Sequence, residues 1–408
     1  MRSTSSFSIG AALCVAIALS LACGGAWAKE SSEQQAITKK LKVTQSRYYV
    51  IYSDLPDAKV AEAAARLTAV AEEYHRRTAG FSGTINRRMS FYLFSGERDY
   101  HAMGGPPGSC GVFNGRALMA IANDDGFLWH TVQHEAFHQF ASFVITPRLP
   151  IWVNEGLAEY FGEGIWTGDN FFTGVIPADR LKRVQKLIRD KKILPFGDMN
   201  QMSGKSWIAN ININNYDQAW SMVHFLIYGD GGKYQKAFAL AITDIARGVN
   251  PGDAFAKHLG GDPDDFQEHY EKWWLALDEN STADIYTQSA VAAITSALAR
   301  AHASGQKFKD FEDFLSAAKA QRLKNDTRQD MPETLVRQDI AKAAYMGQWT
   351  LEYEKTKPHL VLVQADLTKF IGTFEGRSNE AFAVEVKIVK PQIPGTSSTE
   401  IKPRNRPA

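Results

Sequence analysis

The hydrophobic positions of this chain change spacing along its length, and the changes mark its elements. Residues 42–54, KVTQSRYYVIYSD, are rich in β-branched and aromatic side chains and predict a strand. Residues 56–80 carry Ala, Leu and Val at helical spacing, with Pro56 near the start and Gly80 at the end, and predict a helix. RRMSFYLFS (87–95) predicts a second strand, and GVFNGRALMAIAND (111–124) a third, bent or bulged at Gly115. The period then turns helical. LWHTVQHEAFHQFASFVI (128–145) predicts a helix, TPRLP a loop, and WVNEGLAEYFG (152–162) a second helix. Further helices are expected near 178–191, 216–228, 233–247 and 264–278. The segment 180–192, RLKRVQKLIRDKK, has a core stripe of Leu181, Val184, Leu187 and Ile188, and its basic residues read as a solvated cationic face. After the polar break ENSTA (279–283), residues 284–346 look helical and 349–390 look like β-hairpins. The pattern predicts an α+β fold: a mixed block of strands and helices, a helical half, then a smaller α/β-hairpin region. Domain boundaries are expected at 29–280 and 281–390, with a disordered Pro- and Ser-rich tail at 391–408.

The first residues follow another logic. A cationic start at Arg2, an apolar run over 9–21 and the small-residue site Ala26-Trp27-Ala28 predict a signal peptide, residues 1–28. The run is shorter than the ~20 apolar residues that a membrane span needs, so no transmembrane segment is expected in the mature chain. Lipid anchoring at Cys23 is the lesser alternative, because Ser20 fits that motif poorly. An exported chain, periplasmic or extracellular, is expected. Removing the leader also removes Cys14 and Cys23 and leaves Cys110 alone, so no internal disulfide can form. Lys and Arg number 46 against 45 Asp and Glu, a net charge of +1. That balance argues against nucleic acid as a partner. With 44% hydrophobic residues the chain can bury a sizeable core.

The candidate chemistry lies in HTVQHEAFHQF (130–140). His134, Glu135 and His138 form H-E-x-x-H, and residues four apart share one helix face. Two imidazoles so placed can reach one zinc ion at ~2.0–2.1 Å. Such an ion lowers the pKa of water toward ~7, and Glu135, offset by one residue, can take the proton. Chance supplies this motif in roughly 1% of chains of this length, and an apolar setting also suits plain core histidines. His130 precedes His134 by four, but a 3.6-residue turn drifts, so His130 is expected to back the site rather than to bind the ion. A catalytic zinc takes three protein ligands. The next helix offers Glu155 and Glu159, again four apart, among Trp152, Val153, Leu157, Tyr160 and Phe161. Carboxylates in such company are costly unless paired or bound to a cation.

HEAFH followed by NEGLAEY resembles the gluzincin metallopeptidases, the clan of thermolysin and aminopeptidase N. More narrowly, YYVIYSD, LPIWVNEGLAEYF and YDQAWSMVHFL are similar to secreted bacterial proteins with peptidase-like domains of unassigned function. The resemblance covers roughly residues 45–278. It implies a zincin-like catalytic domain, Zn2+ as cofactor and a peptide or protein substrate. By its pattern, Glu155 is the third zinc ligand, and Glu159 orients the first histidine. Gluzincins commonly take their oxyanion donor from a later helix, where NNYDQAWSMVHFL offers Tyr216 and His224. Tyr216 opens the predicted helix and matches better, while His224 reads as a satisfied core residue. The substrate is expected along an edge strand at 111–122. CGVFNGRALMA lacks the Gly-Ala-Met-Glu-Asn segment of aminopeptidase N, which points to an endopeptidase. The rival reading is a non-catalytic, zinc-binding envelope scaffold that keeps the peptidase fold.

Overall fold

The computed structural model describes residues 31–122, 128–209, 212–260, 263–324, 331–376 and 382–391. The expected signal peptide, the alternative lipidation site Cys23 and the expected tail from residue 392 onward lie outside the described residues. The fold is mixed α+β and divides into two compact units. The first comprises the described residues up to 165 together with 171–282. The second comprises 166–170 and the described residues from 283 onward.

The first unit opens with α1 (Ser32–Lys40), started by a reciprocal cap between Ser31 and Gln34. Five strands follow: β1 (Lys42–Gln45), β2 (Tyr49–Ser53), β3 (Met89–Phe94), β4 (Gly111–Phe113) and β5 (Ala117–Ile121). Between them lie α2 (Asp57–Thr78) and α3 (Glu97–Ala102). The sheet order is β1-β2-β3-β5-β4, with β2, β3 and β5 parallel and β1 and β4 antiparallel at the two edges.

Both faces of this sheet are covered. Ile51, Phe91, Leu93, Leu118 and Ala120 pack into one core with Leu67, Val70 and Tyr74 of α2. Tyr92, Phe94, Val112, Met119 and Ile121 form the other with Ile37, Tyr100 and Met103. Neighbouring residues of one strand therefore both find apolar company, which is why MSFYLF is apolar from Phe91 to Phe94 rather than alternating.

Two expected strands are in fact pairs. Residues 42–54 reverse at Ser46, whose N–H donates to the Tyr49 carbonyl, so that β1 folds back on β2. Residues 111–124 also reverse. The Asn114 side chain accepts from the N–H groups of Arg116 and Ala117, and Gly115 takes φ +86°. An Asn-Gly pair between apolar runs favours this tight turn. The edge available for strand pairing is therefore β4 alone, with β5 interior, rather than the whole of 111–122.

The helices that carry the candidate chemistry come next: α4 (Leu128–Phe140), which runs into a π-helical turn at Ala141–Ile145, and α5 (Ile151–Gly162) after Pro150. Nearly every residue of α4 is buried, the polar Gln133, His134, Glu135, His138 and Gln139 included, and buried polar groups need partners. A short ribbon, β6 (Ile165–Trp166) and β7 (Phe171–Phe172), precedes a helical array. This contains α6 (Ala178–Arg189), α7 (Phe196–Gln201), α8 (Gly204–Ala209), α9 (Ile213–Tyr228), α10 (Gln235–Ala246), α11 (Pro251–Leu259) and α12 (Pro263–Ala276). A Cβ at Gly156 would collide with the Ala219 carbonyl and Val223, so glycine there lets α5 and α9 lie unusually close.

The second unit has α13 (Ala283–Ala303), α14 (Phe311–Lys319), α15 (Glu333–Met346) and an antiparallel sheet ordered β11-β10-β9-β8. Its strands are β8 (Gln348–Glu354), β9 (Lys357–Val363), β10 (Lys369–Glu375) and β11 (Ala383–Val389). Val291 of α13 packs on Leu362 and Phe370 of the sheet. Residues 166–170 join this unit through Asp169, which pairs with buried Arg300 at 2.6 Å and accepts the Phe382 N–H. Among the described residues, no helix is long and apolar enough to cross a membrane.

Candidate metal centre

Helices α4 and α5 pack against each other and set the histidines of one against the acids of the other. His134 Nε2 and His138 Nε2 lie 3.0 Å apart. Glu155 Oε2 lies 3.4 Å from each of them. A tetrahedral ion with bonds of ~2.0–2.1 Å holds its ligand atoms about 3.3 Å apart, close to this spacing. Glu155 has no exposed surface, and neither of its oxygens makes a hydrogen bond among the described residues. An orphaned buried carboxylate beside two ring nitrogens fits a divalent cation.

Glu135 also brings an oxygen within 4.8 Å of both histidine nitrogens, so proximity alone offers two third ligands. Hydrogen bonding separates them. Glu135 Oε2 accepts the Phe113 N–H at 2.7 Å. In β4, the bonds from Ile121 N–H to Cys110 and from Asn114 N–H to Ala117 set the antiparallel alternation, which turns the Phe113 N–H away from β5 and toward Glu135. Glu155 has no such donor.

Burial raises the pKa of Glu135 above the usual carboxyl value, with the histidines and the Phe113 N–H working against it. For Glu155 burial also acts upward, but His138 and His134 overcome it and hold the pKa at about 2. On the other side of the first histidine, His134 Nδ1 lies 3.1 Å from Glu159 Oε1. Burial opposes charge on His134, yet Glu155 and Glu159 together raise its pKa well above the usual imidazole value. His138 Nδ1 has no comparable partner among the described residues.

Glu159 is itself held. Arg180 of α6 donates to Glu159 Oε2 at 2.6 Å and to Glu163 Oε1 at 2.9 Å, and pairs with Asp217 at 2.9 Å. Its guanidinium also lies over the Trp220 ring, 4.5 Å from the centroid. Burial raises the Glu159 pKa, but Arg180 and His134 pull it well below the ordinary value.

Arg180 corrects the expectation of a wholly solvated basic face on α6, because it is only 4% exposed. The signal was present in the spacing: positions 180, 184 and 187 share the stripe that buries Val184 and Leu187. His130 stands on this side too, its Nε2 3.9 Å from Glu159 and 3.7 Å from Glu163, and does not join the His134–His138 pair.

Tyr216 sits in the first turn of α9, which Asn212 caps by accepting the Asn215 N–H. Its ring packs against Trp207. Burial and then the neighbouring charge of Glu155 raise its pKa, so at neutral pH it keeps a proton to donate. His224, one face further along α9, is enclosed by Tyr160, Trp220, Tyr228 and Trp274. It is a core residue, as its apolar surroundings predict, but not a satisfied one. Neither ring nitrogen makes a hydrogen bond among the described residues. Burial lowers its pKa to about 3, with the nearby Val175 backbone acting in the other direction.

Residues 129–246 match the family described as "Protein of unknown function (DUF1570)". The matched span contains His134, Glu135, His138, Glu155, Glu159, Arg180 and Tyr216. A search of curated proteins finds no match. The similarity to that family thus covers the whole candidate centre and assigns it no activity.

Proposed function

We propose that this chain is an exported, zinc-dependent hydrolase of peptide bonds, acting as an endopeptidase of gluzincin type on a zincin-like fold. One observation carries the reading: two imidazole nitrogens and a fully buried carboxylate, without another hydrogen-bond donor among the described residues, converge at metal-ligand spacing. His134, His138 and Glu155 would hold the ion. Bound zinc supplies a Lewis acid and lowers the pKa of water.

The remaining work belongs to the chain. Glu135 stands beside the two histidines with raised basicity and is the group to accept a proton from water and pass it to the leaving amine. The Phe113 N–H fixes one of its oxygens and leaves the other to act. Glu159, clamped by Arg180, keeps the His134 ring turned so that Nε2 faces Glu155. Tyr216 donates a hydrogen bond to the oxyanion that forms from the attacked carbonyl. The edge strand β4 offers main-chain groups to an extended peptide. The amino-terminal leader supports export to the periplasm or beyond.

The test is metal analysis of the purified chain followed by turnover of a peptide pool. One equivalent of zinc is expected, and Glu135→Gln should keep the zinc while losing about 10²–10⁴-fold in turnover. Equal turnover by the variant would remove the mechanism. A zinc-loaded chain inert on every peptide would return the reading to a non-catalytic envelope scaffold.

A further inference from the structure

A concavity away from the metal centre lies in the first unit, with its own chemistry. It is an open basin of about 520 Å3, lined by Arg47, Tyr48, His75, Asn86, Arg87 and Arg88, with Thr84 and Ile85 completing the wall. Three elements build it: the turn between β1 and β2, the last turn of α2, and the segment that enters β3. The Met89 N–H donates to the Tyr48 carbonyl at 2.8 Å and ties two of these together.

The arginines are held in place largely without being neutralised. Arg88 Nε donates to the Ser46 carbonyl at 2.7 Å. Arg87 lies over the Phe143 ring, 3.8 Å from its centroid. Only Arg47 has an acidic partner, Glu72 at 2.8 Å. Among the described residues, no carboxylate pairs with Arg87, Arg88 or His75. Like charges gathered in one hollow repel, and in a chain of net charge +1 they are not the overflow of a basic composition.

We propose that this basin binds an oxyanion carried on a small-molecule body of about sugar size. Guanidinium forks match phosphate and carboxylate oxygens in pairs, and Asn86 and Thr84 add neutral donors. A bare ion would fill little of the space, since a water takes only ~30 Å3. Tyr48 and Ile85 provide apolar surface for a ring or carbon skeleton. The site owes nothing to the metal centre, so it stands whether or not the peptidase reading does.

Calorimetric titration of the full chain tests this with four probes: inorganic phosphate, glucose 6-phosphate, glucuronate and glucose. Glucose 6-phosphate or glucuronate should bind, the tighter of the two identifying the anion as phosphate or carboxylate, and glucose should not. The double variant Arg87→Ala/Arg88→Ala should weaken the charged sugar about tenfold or more. Both side chains are exposed, so the fold should survive, which a melting curve checks. Arg88→Lys keeps the charge but not the fork and should fall between. Glu72→Gln frees Arg47 and should tighten binding. Binding unchanged in the double variant, glucose binding as well as its charged relatives, or no binding at millimolar concentration would each overturn the proposal. Inorganic phosphate binding as tightly as the sugar phosphate would overturn the claim of a larger body.

Discussion

Two clusters of histidine and carboxylate lie on the same pair of helices, one turn apart, and they have opposite characters. His134, His138 and Glu155 face one another, and among the described residues Glu155 has only the two imidazoles, at 3.4 Å, beside its oxygens. His130, Glu159 and Glu163 offer the same atom types within 4.8 Å of each other, but Arg180 already reaches both acids. The chain supplies a guanidinium to the second cluster, whereas among the described residues the first has only its own two imidazoles facing the acid. The first cluster has two histidines and one acid, the second one histidine and two acids, and only the second is reached by a guanidinium from α6. The networked cluster still serves the open one, because Glu159 touches Arg180 with one oxygen and His134 with the other.

The sharpest way to break this comparison is to remove one acid from each cluster. Glu155→Ala should abolish stoichiometric zinc, a larger loss than the ~10–100-fold typical of changes behind the ligands. Glu163→Gln should leave zinc affinity nearly unchanged. Competition with a chromophoric chelator measures both, and equal losses would mean that the two clusters do not differ as described.

Removing the internal cation should have the next largest effect. Arg180→Ser leaves Glu159 and Glu163, both part-buried, without their shared guanidinium and is expected to cost up to about 3–5 kcal/mol, read by thermal or denaturant unfolding. It should also open the second cluster, so that zinc restores part of the lost stability and the variant takes up a second equivalent. A melting curve that zinc moves no more than in the wild type would show that the missing cation is not what distinguishes the sites.

His224 gives the smallest and finest contrast, a buried histidine with no acid hydrogen-bonded to it. Its folded pKa is about 3, below the unfolded value near 6.5. As pH falls below 6.5 the unfolded chain takes up the proton first, so stability is lost progressively down to about pH 3. Between pH 7 and pH 5 that loss is about 2 kcal/mol. His224→Leu should remove it, narrowing the stability gap to the wild type by that amount as the pH is lowered. A gap independent of pH would place the titration elsewhere. His134, paired with Glu155 and Glu159, is shifted in the opposite direction, which ties the sign of each shift to the company of the ring.

Much of this centre was readable before any coordinates. The spacing of His134 and His138 puts both rings on one helix face, and the run from Pro147 to Pro150 obliges the chain to turn before α5 brings Glu155 back. Those are local constraints, set by helical geometry and by proline. The elements read wrongly failed at single turns. The apolar pattern on both sides of Asn114-Gly115 suggests one bulged strand, although the pair is itself a hairpin signal. Ser46 reverses the chain with no glycine or proline to announce it. Arg180 was assigned to solvent by its residue type, when its position on the Val184–Leu187 stripe placed it inside. Tyr216 could be named from the sequence, but that it feels the charge of Glu155 depends on how α9 lies against α5, which Gly156 permits.

The sequence by itself determined which side chains share a face, because a residue's direction along a helix follows from backbone geometry alone. It also determined that buried acids beside Trp152 and Phe161 must find a cation. Only the tertiary structure decided which cation each would find. That choice depends on α6 packing against α9, which carries Arg180 to Glu159, and on β4 turning one N–H toward Glu135, contacts between residues distant in the chain whose energies no local pattern encodes.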